Sequence, residues 1–142
     1  MIAIDTNLLV YAHRTAMREH SAAQRALQKA SEDPRGWGGA LPSVAEFWSV
    51  VTHPACAGGP APPLEAAEFL RVLIRETGAR VWLPQTGFWE RLARLAIDLK
   101  APGPRGFDLQ IALVAFENGA TELWSHDRGF TGLPGLVIRD PL

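Results

Sequence analysis

Short apolar runs alternate with longer helical stretches along the whole chain, and few architectures accommodate that order. Ile2-Ala3-Ile4 reads as a strand, and Thr6 to His13 as a helix behind it. Residues His20 to Ser31 place Ala23, Leu27 and Ala30 at helical spacing, and Asp33-Pro34-Arg35-Gly36 breaks the pattern. Trp37 to Leu41 is a second strand, and Ser43 to Thr52 is a helix stopped by Pro54. A Gly/Pro-rich loop over Ala57 to Pro63 leads into a helix from Leu64 to Thr77, with Gly78 as its stop. Arg80 to Leu83 is a third strand. Phe88, Leu92, Leu95, Ala96 and Leu99 mark the next helix, which Pro102-Gly103-Pro104 ends. Asp108 to Asn118 is helical, and Glu122 to Ser125 and Leu136 to Ile138 are the last strands. The order β-α-α-β-α-α-β-α-α-β-β predicts an α/β fold, a central and mostly parallel sheet with helices on both faces. In such sheets ligands bind beyond the carboxyl ends of the strands, near the point where strand order reverses.

With 142 residues and no internal repeat, the chain is expected to form one domain spanning 1–142. No apolar run approaches the roughly 20 residues of a membrane span. The opening Met1-Ile2-Ala3-Ile4-Asp5 has neither the basic region nor the small-residue cleavage site of a secretory signal. A lone cysteine, Cys56, excludes an internal disulfide and a Cys-rich metal site. A cytoplasmic location follows as the expectation. The net charge of −1 argues against bulk, sequence-independent nucleic-acid binding, which draws on many phosphate contacts. It leaves room for a local basic rim around an acidic site.

Four acids fall where such a fold concentrates chemistry. Asp5 directly follows the first strand, Glu46 lies in the first turn of the helix after the second, Asp108 opens the helix before the fourth, and Asp127 follows the fourth. Converging carboxylates resist joint ionisation, and a divalent cation relieves the repulsion. Mg²⁺ takes hard oxygen ligands and keeps several waters beside one or two carboxylates, the chemistry of a metal-dependent nuclease. Each acid also has an architectural reading. Ser43-Val44-Ala45-Glu46 fits a capping box, and Asp5 fits a cap for the helix at Thr6-Asn7. Asp108 complements a helix N-terminus, and Asp127 suits a turn before Arg128-Gly129.

The motifs around these acids resemble one family in order. Met1-Ile2-Ala3-Ile4-Asp5-Thr6-Asn7 is similar to the opening motif of PIN domains, a strand ending in Asp-Thr-Asn. Ser43-Val44-Ala45-Glu46-Phe47 resembles the second motif, Asp108-Leu109-Gln110-Ile111-Ala112 the third, and Trp124-Ser125-His126-Asp127-Arg128-Gly129-Phe130 the fourth. Val50-Val51-Thr52-His53-Pro54 is similar to a stretch of one VapC subgroup. The resemblance covers essentially the whole chain. It implies a PIN-like three-layer α/β/α fold and a VapC-like toxin of a toxin–antitoxin pair that cleaves RNA phosphodiesters, in transfer or ribosomal RNA. It implies catalytic and metal-binding roles for Asp5, Glu46, Asp108 and Asp127, with Mg²⁺ or Mn²⁺ as cofactor. It also implies supporting roles for Thr6, Asn7 and Ser125, a cognate VapB-like antitoxin and a homodimer. The chain departs from the pattern at Ser125, where Thr is commoner, at Leu109, where Ala is frequent, and at Gly129, where many relatives carry another acid.

Other residues divide by type. His126 between Ser125 and Asp127 is expected to face away from both, and His13, His20 and His53 lack metal-ligand spacing. Arg14, Arg18, Arg105 and Arg128 fall near loop edges and are candidates either for RNA phosphate or for solvated charge. Trp48, Trp82, Trp89 and Trp124 read as core or interface residues. The helix from Leu64 is apolar on more than one side, which with Trp48 and Phe69 points to a dimer contact or to full burial. A non-catalytic PIN-like scaffold is the competing reading, although all four acids are present. A haloacid dehalogenase would need a second acid in place of Asn7, and a receiver domain a late-strand lysine, whereas the lysines are Lys29 and Lys100.

Overall fold

A computed structural model describes residues 1–142. Five strands, β1 (Ile2–Ile4), β2 (Trp37–Ala40), β3 (Arg80–Trp82), β4 (Glu122–Trp124) and β5 (Val137–Arg139), form one sheet in the order β3-β2-β1-β4-β5. Every pairing in it is parallel. The chain fills one side of β1 first and then crosses to the other, so the strand order reverses between β1 and β4. Six helices connect the strands: α1 (Thr6–His13), α2 (His20–Ser31), α3 (Leu41–Val51), α4 (Pro63–Thr77), α5 (Phe88–Asp98) and α6 (Arg105–Glu117). The element order is the one the sequence predicts.

Alternation along the strands separates two cores. Ile2 and Ile4 of β1, Trp37 of β2 and Trp124 of β4 face one side, packed by Leu8, Leu9, Ala23, Leu27, Phe47 and Ala66 from α1 to α4. Ala3, Ala40, Trp82 and Leu123 face the other side, packed by Ile111, Val114 and Ala115 of α6. A parallel sheet covered on both faces must be apolar on both, and the three residues of β1 are all buried. Gly38 lets β2 and β3 close: a Cβ there would meet the Arg80 carbonyl oxygen at 2.2 Å. Gly78 ends α4 in the left-handed region at φ +69°, as its position predicts.

Several boundaries shift by one to three residues, and three of the shifts have a local reason. Helix α3 starts at Leu41 rather than Ser43, because Pro42 is tolerated in a first turn and Ala40 serves as the extended cap residue. The capping box is therefore not formed: Ser43 lies inside the helix, fully buried, and Glu46 sits beyond the first turn. Helix α6 starts at Arg105, so Asp108 lies in its first turn instead of opening it. Strand β5 runs over Val137–Arg139 because the Leu136 amide closes a turn onto Leu133 O at 3.2 Å and the side chain turns into the core.

Several peripheral expectations resolve as packing. Arg14 is buried and donates to the Ala57 and Gly59 carbonyls, so it pins the Gly/Pro-rich loop and is not free for phosphate. The His13 ring meets Phe47 and Phe69 edge-on at 5.5 and 5.1 Å, and those two rings stack at 5.3 Å. Phe69 is thus half-buried against His13 and Phe47 of its own chain. Burial lowers the His13 pKa, partly offset by Glu65. Trp82 and Trp124 are buried with Trp37, whereas Trp48 and Trp89 are exposed. No helix is long and apolar enough to cross a membrane.

Candidate active site

Asp5 leaves β1 at its carboxyl end, and its side chain lies at the reversal of strand order. Its amide donates to Trp124 O at 3.0 Å, which continues the β1–β4 ladder by one residue. The carboxylate caps α1, accepting from the Thr6 amide at 2.7 Å on Oδ1. Oδ2 accepts from Ser125 Oγ at 2.6 Å and from Asn7 Nδ2 at 2.8 Å. The two readings of Asp5 therefore coincide: the residue caps a helix and faces the cavity. Asn7 also donates to Ser125 Oγ at 2.9 Å and accepts from the His126 amide at 3.2 Å through Oδ1. One amide side chain thus couples the end of β1 to the end of β4.

Glu46 reaches the same place from α3, where its Oε2 accepts from Thr6 Oγ1 at 2.6 Å. Asp108 accepts from the Thr131 amide at 3.1 Å, which ties the first turn of α6 to the segment between β4 and β5. Asp127 accepts from the Gly129 amide at 2.7 Å, and its own amide donates to Ser125 Oγ at 3.0 Å. All four carboxylates line one cavity of about 290 Å³, with Thr6 and Asn7 beside them. A larger cavity of about 420 Å³ lies elsewhere, between α2 and the last residues, and none of the four acids lines it.

The electrostatics follow from burial. Asp5 is raised to about 6, first by burial, against the Ser125 and Thr6 hydrogen bonds that favour its charge, and further by Glu46 and Asp108. Asp108 is also raised, by burial first and then by Asp127 and Glu46, while the Thr131 amide and Arg105 pull the other way. Crowded carboxylates that resist ionisation are the condition a divalent cation relieves. The acids ring the cavity without closing into a ready cage of three or more ligands. A donor set of hard oxygens around an open cavity suits Mg²⁺ or Mn²⁺, which retain waters, better than a softer ion held on all sides by protein.

Residues 2–136 match the PIN domain family. Across the full 142 residues the chain is 34% identical to "VapC ribonuclease Mb2897" of Mycobacterium bovis and to "Ribonuclease VapC43" of Mycobacterium tuberculosis, covering 96% of each. The chain belongs to the PIN-domain family, among the VapC ribonucleases. It is 29% identical over 137 residues to "Ribonuclease VapC48" of Mycobacterium tuberculosis. Solved structures carry the same fold. Mycobacterium tuberculosis VapC20, a toxin that cleaves the sarcin–ricin loop, superposes with a TM-score of 0.69 at 15% identity, over 92% of either chain. VapBC2 from Rickettsia felis, bound to a DNA fragment from its promoter, superposes with a TM-score of 0.69 at 17% identity, over 99% of this chain and 98% of that one.

The cavity also holds residues to which the sequence features assign no role at the site. Val10, Tyr11, Val50, Phe107 and Ile111 line it. Helical spacing could have found most of them. Tyr11 lies one turn beyond Asn7, Val50 one turn beyond Glu46, and Ile111 one turn beyond Asp108. His126 does turn away from Ser125 and Asp127: its Nδ1 pairs with the Asp140 carboxylate at 2.9–3.0 Å, and its ring packs edge-on to Tyr11 at 6.1 Å. No local pattern announces Asp140, which arrives from beyond β5.

Proposed function

We propose that the protein is a divalent-metal-dependent endoribonuclease, the toxin of a VapBC-type toxin–antitoxin pair, acting in the cytoplasm as a homodimer until a VapB-like antitoxin restrains it. The observation that carries the reading is the meeting of Asp5, Glu46, Asp108 and Asp127 on one cavity at the carboxyl edge of a parallel sheet. Full-length similarity to proteins named ribonucleases supports the substrate class. The similarity in fold to VapBC2 accords with an antitoxin partner.

Asp5, Glu46, Asp108 and Asp127 would hold Mg²⁺ or Mn²⁺. A cation held there would supply charge neutralisation at the scissile phosphate and would lower the pKa of a nearby water. Asn7, Ser125 and the Thr6 amide fix the direction of the Asp5 carboxylate, so little reorganisation is left for the moment of reaction. Thr6 links Asp5 to Glu46, since its amide serves the first and its hydroxyl the second. Asp108 and Asp127 bring the opposite side of the ring, held by amides of the segment that follows β4. At pH 7 Asp5 is mostly ionised even without metal, because a pKa of about 6 lies below that pH.

The test is cleavage of a panel of structured and single-stranded RNAs by purified protein, with Mg²⁺, with Mn²⁺ and with EDTA. Metal-dependent internal cuts are the expected result. Binding of RNA without cleavage under every metal condition would favour the scaffold reading instead.

A further inference from the structure

Phe107 stands in the first turn of α6, directly before Asp108, and is 69% exposed although it lines the acidic cavity. From Leu109 to Ala115 every residue of that helix but Gln110 is buried. Phe107 is therefore not left out of the core by a weak helix. No aromatic ring of the chain packs against it. Val50, also exposed, lines the same cavity, as does Tyr11, whose ring is braced by His126. The cavity thus has an acidic side and an apolar, partly aromatic side.

Such a site faces an electrostatic difficulty with RNA. Four carboxylates repel phosphates, and the net charge of −1 supplies no surplus of cations to draw the backbone in. Contacts that do not depend on charge would therefore add to binding at this site. Stacking of a nucleobase on an exposed aromatic ring is such a contact and is tolerant of sequence, because every base has a π-face. Arg105, two residues earlier on the same turn, is exposed and forms no ion pair within the chain, so it can meet a phosphate beside the stacked base. A Cβ at the intervening Gly106 would meet nothing within 4 Å, so the approach is open.

From this we infer that Phe107 is the base-stacking platform of the substrate site, holding a nucleotide next to the scissile phosphate in the acidic cavity. The inference rests on the ribonuclease reading for its substrate class. Phe107 touches substrate and takes no part in the chemistry at phosphorus. Its loss should therefore raise KM and leave kcat nearly as it was.

The experiment uses full-length wild type, Phe107→Ala and Phe107→Trp on a single-stranded RNA that the wild type cuts. A second set of oligonucleotides of the same sequence carries one abasic site at each successive position. Phe107→Ala should raise KM about five- to hundredfold, the range that loss of one base–aromatic stack gives, and Phe107→Trp should restore it. An abasic site at one position next to the cut should cost the wild type a similar factor and cost Phe107→Ala almost nothing. A KM for Phe107→Ala within twofold of wild type overturns the inference and leaves the ribonuclease reading standing. So does an abasic penalty of equal size in both proteins. Light scattering on the same samples tests the other occupant, a second copy of the chain: if Phe107→Ala lowers the oligomer mass and shows no coupling to any abasic position, Phe107 belongs to a contact between copies and the inference falls. If the wild type cuts no RNA, the same comparison is read from the Kd of a fluorescein-labelled RNA. An unchanged Kd in Phe107→Ala then overturns the platform as well as the chemistry, and a weakened Kd that Phe107→Trp restores upholds the platform alone.

Discussion

On the β1 side of the cavity, Asp5 is buried and accepts three hydrogen bonds, from the Thr6 amide, Asn7 and Ser125. On the side of the segment between β4 and β5, Asp127 is exposed and accepts one, from the Gly129 amide two residues on. The two carboxylates belong to the same ring, yet one is set by long-range contacts and the other by its own turn. Asp5 is joined to Ser125 across 120 residues of sequence, so its position exists only once the sheet has formed. Asp127 needs only a local Asx-type turn. The difference divides preorganisation from adaptability. The β1 side holds its charge in a fixed direction at the expense of burying it, and the β4–β5 side keeps its charge solvated and free to shift.

The comparison breaks most visibly at Asp5. Asp5→Asn keeps the shape of the side chain but removes the charge that a hard cation requires. RNA cleavage should fall by at least about a hundredfold, more than replacement of an outer hydrogen-bond partner gives. Wild type should gain on the order of 5–10 °C in melting temperature at a Mg²⁺ or Mn²⁺ concentration about 100 times Kd, and the variant much less. Without metal the relative stability of the two proteins depends on pH. Asp5 ionises near 6 in the folded protein and near 3.8 when unfolded, so the folded state holds its proton more tightly. The stability this gives is complete below 3.8 and is lost as pH rises through about 6. The loss is roughly 2–3 kcal/mol at most, and Asp5→Asn should escape it. Melting curves in EDTA from about pH 4 to pH 7 should therefore show wild type falling relative to the variant. Parallel curves, or a wild-type metal shift in the variant, would remove Asp5 from the binding site.

The same division explains what could be read along the chain. The alternation of Ile2-Ala3-Ile4 with helical stretches identified every element in order, because a sheet buried on both faces demands it. The convergence of the four acids on one cavity was legible for a related reason: strand ends and the helix turns beside them share one edge of a parallel sheet. The Ser43–Glu46 capping box failed because α3 starts two residues earlier, at Leu41, and the Glu46 carboxylate instead accepts from Thr6, 40 residues away. Arg14 looked like a surface cation until the backbone carbonyls of Ala57 and Gly59 folded over it. Both misreadings concern polar side chains whose partners arrive from a distant segment. Hydrophobic period is a local signal and polar pairing is not.

Asn7 carries the division into the supporting residues. Its side chain donates to Asp5 and Ser125 and accepts from the His126 amide, so it ties the β1 side to the β4 side. Asn7→Ala leaves Asp5 with the Thr6 amide and the Ser125 hydroxyl but frees its direction. Cleavage should drop about 10- to 100-fold. Stability should drop by about 1–3 kcal/mol, since part-buried polar groups lose their partners. Steady-state kinetics and urea unfolding on the same protein measure both. An activity equal to wild type would show that the Ser125 and Thr6 contacts alone orient Asp5, and the β1 side would owe its rigidity to fewer bonds than it makes.

The smallest effect is expected at Gly129, and it sharpens the comparison from the other side. The Gly129 amide holds Asp127, and a Cβ added at Gly129 would stand 3.3 Å from Asp127 Oδ1. That is tight, but the backbone there does not require glycine: Gly129 is absent from the positive-φ glycines. The carboxylate is exposed and can move by a few tenths of an ångström into solvent. Gly129→Ala keeps the amide donor and adds only this crowding. If the β4–β5 side is adaptable, cleavage should change by less than about threefold, and stability by less than about 0.5 kcal/mol, as for an ordinary surface substitution. A comparable displacement imposed on buried Asp5 would strain its three hydrogen bonds to Thr6, Asn7 and Ser125. Kinetics of Gly129→Ala beside Asn7→Ala therefore measure the contrast directly. Equal losses in the two variants would mean that Asp127 is held as firmly as Asp5, with its single hydrogen bond and its exposure concealing a fixed position.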